Sequence, residues 1–352
     1  MMEQEELYDM IVVGAGPAGC TAAKFAADAG LNVLLLERMK LPREKSCSGF
    51  LIQKSVRFIE QHYGNMPENV FCKPENTSGF ILTNEDGKEF RFESPGFNIW
   101  RGAFDKWLAE KAEDAGAVVA DNSFVTNIAE TESKYLNVFL NNGAVFKTKY
   151  AVICEGTVGN LKNKITAHQG YKNEKIITYQ TFCRGSVRLD PKFFYAFLQA
   201  EFSEYDAWVN FKDDLIIFGV AVENAEKIQR YHQKFELFLK SEYGLSVLEI
   251  VKEEKWLMPK ILPECRKDTV YGRILFAGEA AGFLNPMGEG ISSAFITGKA
   301  AAYSVKTALE AENMPPARLK EIYEKEIEPE YNYMLRQWKL IGGMSARFFQ
   351  QL

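Results

Sequence analysis

The stretch YDMIVVGAGPAGCTAAKFAADAGLNVLLLE, Tyr8 to Glu37, constrains this chain more than any other. Met10–Val13 is a short apolar run, the pattern of a buried parallel strand. Gly14, Gly16 and Gly19 follow in GxGxxG spacing. The first permits a tight turn and the second lets a pyrophosphate approach bare backbone. The third lets the next helix sit close on the strand. Pro17 and Ala18 open that helix, where the missing proline N–H costs nothing. Alanines fill the helix and Gly30 is placed to end it. Asn32–Leu36 reads as a second strand, closed by Glu37. A carboxylate about 20 residues beyond the glycines accepts from a ribose 2′-hydroxyl and repels a 2′-phosphate. The unit therefore reads as a dinucleotide site suited to FAD or NAD rather than NADP. A strand–helix turn that binds nothing would leave Glu37 unexplained.

At 352 residues, 47% hydrophobic and 25% charged, the chain has room for a cofactor domain and an inserted lobe. Its net charge of −5 argues against nucleic acid, whose phosphates need a surplus of Lys and Arg. The six cysteines form no CxxC pair, which fits a reduced, cytoplasmic setting. The acidic start is neither a secretory signal nor a transit peptide. No stretch approaches the ~20 apolar residues of a membrane span, which leaves only peripheral membrane contact open. His62, His168 and His232 flank no motif, so neither a metal site nor a histidine triad is expected.

Along the chain, Ala103–Ala115 has helical periodicity, ends at Gly116 and is followed by the strand AVVA. Gly79–Glu93 reads as a hairpin around Asp86–Gly87, and Tyr135–Tyr150 as another around Asn141–Asn142–Gly143. Tyr150–Cys154 reads as a further apolar strand ending at Glu155–Gly156. Residues 175–222 read as several strands, 223–243 as a helix, Gly272–Ala277 as a returning strand, and the chain from Pro316 as helical. A cofactor domain interrupted twice by insertions is the expected architecture.

A second glycine-punctuated turn, GEAAGFLNPMGEGISSAF, runs from Gly278 to Phe295 into an apolar helix. Two such turns suit one long ligand with two polar ends. FAD is such a ligand: its pyrophosphate takes the first helix start and its flavin the second. Reduced flavin tends to carry negative charge at N1, which a helix N-terminus stabilises. The plainer alternative is a glycine-rich buried junction. No second GxGxxG with strand, helix and acid is visible. Electrons would then arrive from an external donor, NAD(P)H or a reduced ferredoxin-like protein.

Four motifs in this order resemble the p-hydroxybenzoate-hydroxylase-like flavoproteins, and within them the geranylgeranyl reductase family. They are GAGPAG with Glu37, Trp100–Arg101 before FDKWL, CEGTVG, and GEAAGFLNPMGEGISSA. Ser46–Gly49 matches that family's SCSG-like loop, and Tyr205–Lys212 (YDAWVNFK) its YxWxFPK motif. Three departures stand out. Glu155 and Glu279 replace aspartates, and Lys212 follows Phe211 directly, where the family has a proline first. The C-terminal region is also shorter.

The resemblance implies an α/β fold. A Rossmann-like FAD-binding domain would be assembled from 1–72, 96–165 and 265–312. A mostly antiparallel β substrate lobe would come from 73–95 and 166–264, with a C-terminal helical segment over 313–352. It implies FAD contacts at Gly14, Gly16, Pro17, Ala18, Gly19, Glu37 and Arg38, and at Cys47, Ser48, Gly49, Arg101 and Val125. Further contacts fall at Glu155, Gly156, Gly278, Glu279, Pro286, Gly288, Gly290 and Ile291. For Arg101 a surface charge at a helix start is the alternative.

The resemblance also implies a reductase that saturates carbon–carbon double bonds of an isoprenoid or similarly apolar substrate. Cys47 is the candidate proton donor on the substrate side; a small residue in a flexible loop is the other reading. Tyr205, Trp208 and Phe211 are candidates for an apolar slot, or for aromatic core. A straight strand places Tyr205 and Phe211 on one face and Trp208 on the other. Cys20 and Cys154 read as core. A hydroxylase of the same fold and a flavin-holding binding protein are the alternatives, the second motivated by the two lengthened carboxylates. A halogenase's WxWxIP motif is not seen.

Overall fold

The computed structural model describes residues 7–131, 135–157, 159–166, 175–259, 269–311, 314–342 and 344. His168 and Cys265 lie outside the described residues. The chain divides into two compact units. The first comprises Met1–Arg43, Phe104–Asn173 and Pro263–Gln337. The second comprises Glu44–Ala103, Glu174–Leu262 and Trp338–Leu352.

The chain opens with β1 (Leu7–Val13), α1 (Pro17–Asp28) and β2 (Val33–Leu36). It enters the second unit with β3 (Phe50–Leu51), α2 (Gln53–His62), β4 (Phe71–Thr83) and β5 (Glu89–Ile99). Helix α3 (Arg101–Asp114) returns it to the first unit, which adds β6 (Val118–Ala120), β7 (Val125–Glu130), β8 (Leu136–Leu140), β9 (Val145–Ile153) and α4 (Leu161–Thr166). The second excursion holds β10 (Lys175–Ser186), β11 (Phe193–Phe197), β12 (Ala207–Lys212), β13 (Leu215–Val222), α5 (Ile228–Tyr243) and β14 (Ser246–Pro259). Finally come β15 (Val270–Tyr271), β16 (Ile274–Phe276), α6 (Ile291–Glu310) and α7 (Pro316–Gly342).

The unit boundaries differ from the sequence expectation. Residues 44–72 and 96–103, expected with the cofactor half, group with the second unit. The reason is strand pairing: β3 and the start of β4 are tied to the end of β5 through Phe50–Asn98, Leu51–Phe97 and Phe71–Ile99. Tyr150–Ile153 is not a separate strand either. It continues the second arm of the hairpin, so β9 runs unbroken from Val145.

In the first unit, β16, β9, β1, β2 and β6 lie side by side and parallel. The pairing brings Val13 opposite Ile153, and Ile153 opposite Phe276. All three residues end their strands, so the three turns that follow leave one edge of one sheet. Neighbouring strands lie about 5 Å apart, so β1 and β16, separated only by β9, are about 10 Å apart. Helices α1 and α6 pack closely through small residues. A Cβ on Gly298 would stand 2.3 Å from the Ala18 carbonyl oxygen.

In the second unit the sheet runs β14-β10-β13-β12-β11-β4-β5-β3 and is antiparallel except between β11 and β4. One face of it buries Ala207, Val209, Phe218 and Val220 against Phe235 and Leu239 of α5. Side chains alternate along a strand, so Trp208, Asn210 and Lys212 of β12 share the opposite face. Among the described residues, no helix is long and apolar enough to cross a membrane.

Candidate functional site

The first unit builds its site from backbone. Gly14 has φ +102, and a Cβ there would lie 2.6 Å from the Cys154 carbonyl oxygen. A Cβ on Gly19 would lie 1.9 Å from the carbonyl oxygen of Gly14. Both positions are closed to any side chain. Gly16 is different: its open side meets only Arg43 Nη2, at 3.5 Å. Gly16 caps α1 and no side chain satisfies the helix's first N–H groups there. Bare donors at a helix N-terminus form an anion site.

Glu37 is 4% exposed. Its carboxylate accepts from Ala15 N at 2.8 Å and Met39 N at 3.0 Å. Arg43 approaches it, with Nε 3.3 Å from Oε2, and Arg43 Nη2 lies 3.1 Å from Asp105 of α3. Arg43 Nε is buried and makes no hydrogen bond of good geometry. An uncapped helix start, an open glycine and an under-bonded guanidinium together fit a diphosphate, and the buried carboxylate beside them fits a ribose. The residues present therefore fit FAD. Arg43 and Asp105 belong to no recognisable motif, and only folding shows their pairing.

The two lengthened carboxylates have different tasks. Glu155 turns its Oε1 to Lys162 N, 3.0 Å away, at the start of α4. Burial raises its pKa, while the N–H groups of residues 160–162 and the charge of Arg38 act the other way. Gly159 is bare because the Glu155 side chain lies where its Cβ would be. Glu279 instead accepts from Thr157 Oγ1 at 2.8 Å, which joins the second turn to the third. Gly278 donates to Thr297 of α6 at 2.9 Å.

Asn285 organises the loop before α6: its Oδ1 accepts from Met287 N and Glu289 N, both at 2.9 Å. Pro286 is buried, Gly288 has φ +72, and a Cβ on Gly290 would press on Leu284 at 2.8 Å. The start of α6 is not wholly bare. Glu289 accepts from Ser292 N and from Ser292 Oγ, each at 2.8 Å. Ile291 is buried in the first turn. Arg38 is exposed past the end of β2, and Val125 is buried at the start of β7.

The second unit builds with side chains. Residues 44–49 have no regular structure, yet each is held by the sheet. Glu44 pairs with Lys252 at 2.6 Å, and Lys45 Nζ lies 5.1 Å from the centre of the Trp256 ring. Ser46 Oγ accepts from Gln180 at 3.0 Å. The Cys47 and Ser48 carbonyls accept from Lys212 at 3.4 Å and Asn210 at 3.2 Å. Gly49 O accepts from Ile99 N at 2.9 Å. The segment thus crosses from β14 over β10 to β12 with an anchor at every residue. That is the opposite of a loose loop.

Lys212 is 2% exposed, and its ammonium also donates to Ile99 O at 2.9 Å. Gly49 makes room for it: a Cβ there would stand 2.5 Å from Lys212 Nζ. Asn210 Oδ1 is buried beside this segment without a partner. Cys47 is partly exposed, and its Sγ accepts from Gly49 N at 3.3 Å. Burial pushes the Cys47 thiol up. The Arg101 guanidinium, the Lys212 ammonium and the Gly49 N–H outweigh it and hold the thiol below its ordinary value.

Trp208 donates to Gln180 Oε1 at 3.3 Å, and its indole lies against Gly219, where a Cβ would be 2.3 Å from the ring. The three aromatics of the motif do not line one wall. Phe211 packs toward the core under α5, as the alternation requires. Tyr205 precedes β12, and its hydroxyl donates to Glu223 at 2.8 Å. The side chains that share the Trp208 face are Asn210 and Lys212, to which the motif assigns no role. A lone glycine in LIIFGVAV and a lysine closing an apolar strand were the available signals. Cys20, Cys72, Cys154 and Cys183 are buried and free.

A family model described as glucose inhibited division protein A matches residues 9–183. Digeranylgeranylglycerophospholipid reductase 2 of Methanopyrus kandleri is 25% identical over 357 aligned residues, spanning 96% of this chain and 87% of the relative. The corresponding reductase of Methanocaldococcus jannaschii is 27% identical over 96% of this chain and 87% of its own. A geranylgeranyl bacteriochlorophyll reductase-like structure from Thermoplasma acidophilum superposes with a TM-score of 0.77 at 21% identity, covering 94% of this chain and 85% of that one. A flavin-dependent brominase superposes at 0.73 with 16% identity, covering 96% and 89%. The fold is therefore shared with a geranylgeranyl bacteriochlorophyll reductase-like protein and with a flavin-dependent brominase.

Proposed function

We propose that this chain, a geranylgeranyl reductase-like FAD-dependent oxidoreductase, saturates carbon–carbon double bonds of an isoprenoid lipid or a similarly apolar substrate. The observation that carries the reading is similarity to digeranylgeranylglycerophospholipid reductases along 96% of the chain. The site supports it at two levels. Three turns leaving one sheet edge supply the parts of an FAD cradle, and an anchored segment presents a partly exposed, acidified thiol.

Bound FAD supplies the hydride. The protein's residues do the rest. The α1 start and Arg43 hold the diphosphate, and Glu37 orients the ribose. The Gly288–Gly290 turn would face the flavin, and Glu279 would hold the chain that links flavin to phosphate. Cys47 holds the proton that completes the second carbon, and Trp208 offers an apolar surface. An external donor, NAD(P)H or a reduced ferredoxin-like protein, recharges the flavin.

The test is anaerobic. The FAD-loaded protein is reduced and mixed with lipids carrying geranylgeranyl chains. Flavin reoxidation and a product heavier by two hydrogens per saturated bond are expected. A protein that no polyprenyl lipid reoxidises refutes the reading. Oxygen incorporation into the substrate in air, in place of saturation, would mark a hydroxylase.

A further inference from the structure

We propose that Lys212 is a positioning residue for Cys47: its buried ammonium, with Arg101, holds the segment carrying the thiol and polarises the S–H bond for proton transfer. The inference rests on the reading of Cys47 as proton donor in an alkene reduction. It gives a role to the lysine that closes the resembling motif, here placed directly after Phe211.

The geometry is specific. Burying an ammonium to 2% exposure is costly unless its charge is used and its donors are satisfied. Two of its three N–H groups meet carbonyls, those of Cys47 and Ile99. Neither acceptor is charged. Among the described residues, no carboxylate pairs with Lys212. A Cβ on Gly49 would stand 2.1 Å from the Ile99 carbonyl oxygen and 2.5 Å from Lys212 Nζ, so the bare glycine lets both the strand and the ammonium sit against the turn of the SCSG segment. Arg101, in the first turn of α3 and 7% exposed, donates to the Cys47 sulfur. One cation and one backbone N–H therefore bond the Cys47 sulfur, and a second cation sits on the carbonyl of the same residue, near enough for its charge to act on the thiol.

The other ionisable groups around the pair are few. Cys72 of β4 is pushed up to about 12 by burial and stays a neutral thiol. Asp213 is engaged by Trp100 Nε1 at 2.9 Å and Lys73 N at 2.8 Å. Glu254 of β14 is held by Lys252 and Gln180. Burial lowers the pKa of Lys212, while Cys47 and Glu254 support its charge. The Cys47 thiol is thereby brought toward working pH, where a general acid both gives up its proton and regains it readily.

The test reads the thiol directly and needs no lipid. FAD-loaded protein is alkylated with iodoacetamide across a pH series, and the Cys47 peptide is followed by mass spectrometry. In the native protein the midpoint for Cys47 is expected below the ordinary thiol value of about 8.5. Lys212→Gln keeps a donor for the two carbonyls and removes the charge. It should raise the midpoint by about 1 pH unit, as should Lys212→Met. In lipid turnover the basic limb of the pH profile should move up with it. A native midpoint at the ordinary value overturns the proposal whatever the variants do. An unchanged midpoint in a folded Lys212→Gln protein overturns it too. A shifted midpoint in a protein that saturates no polyprenyl lipid would sink the assigned function and leave the Lys212–Cys47 pairing standing.

Discussion

The two units solve recognition in opposite ways. The first uses bare backbone: glycines at 14, 16 and 19, and a helix start with no side chain over it. The second uses side chains from distant strands, so that Gln180, Asn210, Lys212 and Lys252 each grip one residue of a six-residue segment. Backbone sites tolerate almost no added atoms. Side-chain sites fail more gradually, since neighbours can shift.

The largest effect that would test this contrast is in the first unit. Gly19→Val drives atoms into a backbone carbonyl that cannot move, and should cost about 3 kcal/mol or more. The protein is expected to come out colourless with a lowered Tm; normal FAD loading would break the comparison. Next is Glu37→Ala, which strands two N–H groups and removes a partner of Arg43. FAD affinity should fall about 10- to 100-fold, corresponding to 1.4–2.7 kcal/mol, by titration of the apoprotein.

In the second unit, Gly219→Ala meets the Trp208 ring at 2.3 Å and the Tyr179 carbonyl oxygen at 2.6 Å, and of the two only the ring can give way. A loss of about 1–3 kcal/mol is expected in denaturant unfolding, with a shift in tryptophan emission, and with FAD affinity unchanged. The smallest effect sharpens a contrast inside the first unit. The α1 start carries no acid, whereas the α6 start carries Glu289. On the reading that the Gly288–Gly290 turn faces the flavin, this carboxylate opposes charge on the reduced ring and makes it a stronger reductant. Glu289→Gln should raise the flavin midpoint potential by about 10–20 mV in a spectroscopic redox titration. A downward shift would remove Glu289 from that role.

Legibility followed the same division. The GxGxxG turn, its flanking strand and helix, Glu37 and the late glycine turn were all readable, because each depends on residues adjacent in the chain. Cys20 and Cys154 were readable as core for the same reason. The unit boundaries near 43 and 103 were not, since they depend on β3 and the start of β4 finding the end of β5. Nor was the Arg43 pairing with Asp105, 62 positions away. The resemblance drew attention to Tyr205, Trp208 and Phe211 as a group, and strand alternation separated Phe211 from Trp208.

Sequence alone determined where backbone must be bare and where an acid closes a strand, because steric exclusion and turn geometry act over a few neighbouring residues. Only the tertiary structure decided that three turns share one sheet edge, that a lysine is buried behind Cys47, and that Glu289 covers a helix start. Those depend on strand register and on charges brought together across long stretches of chain, and no local pattern encodes them.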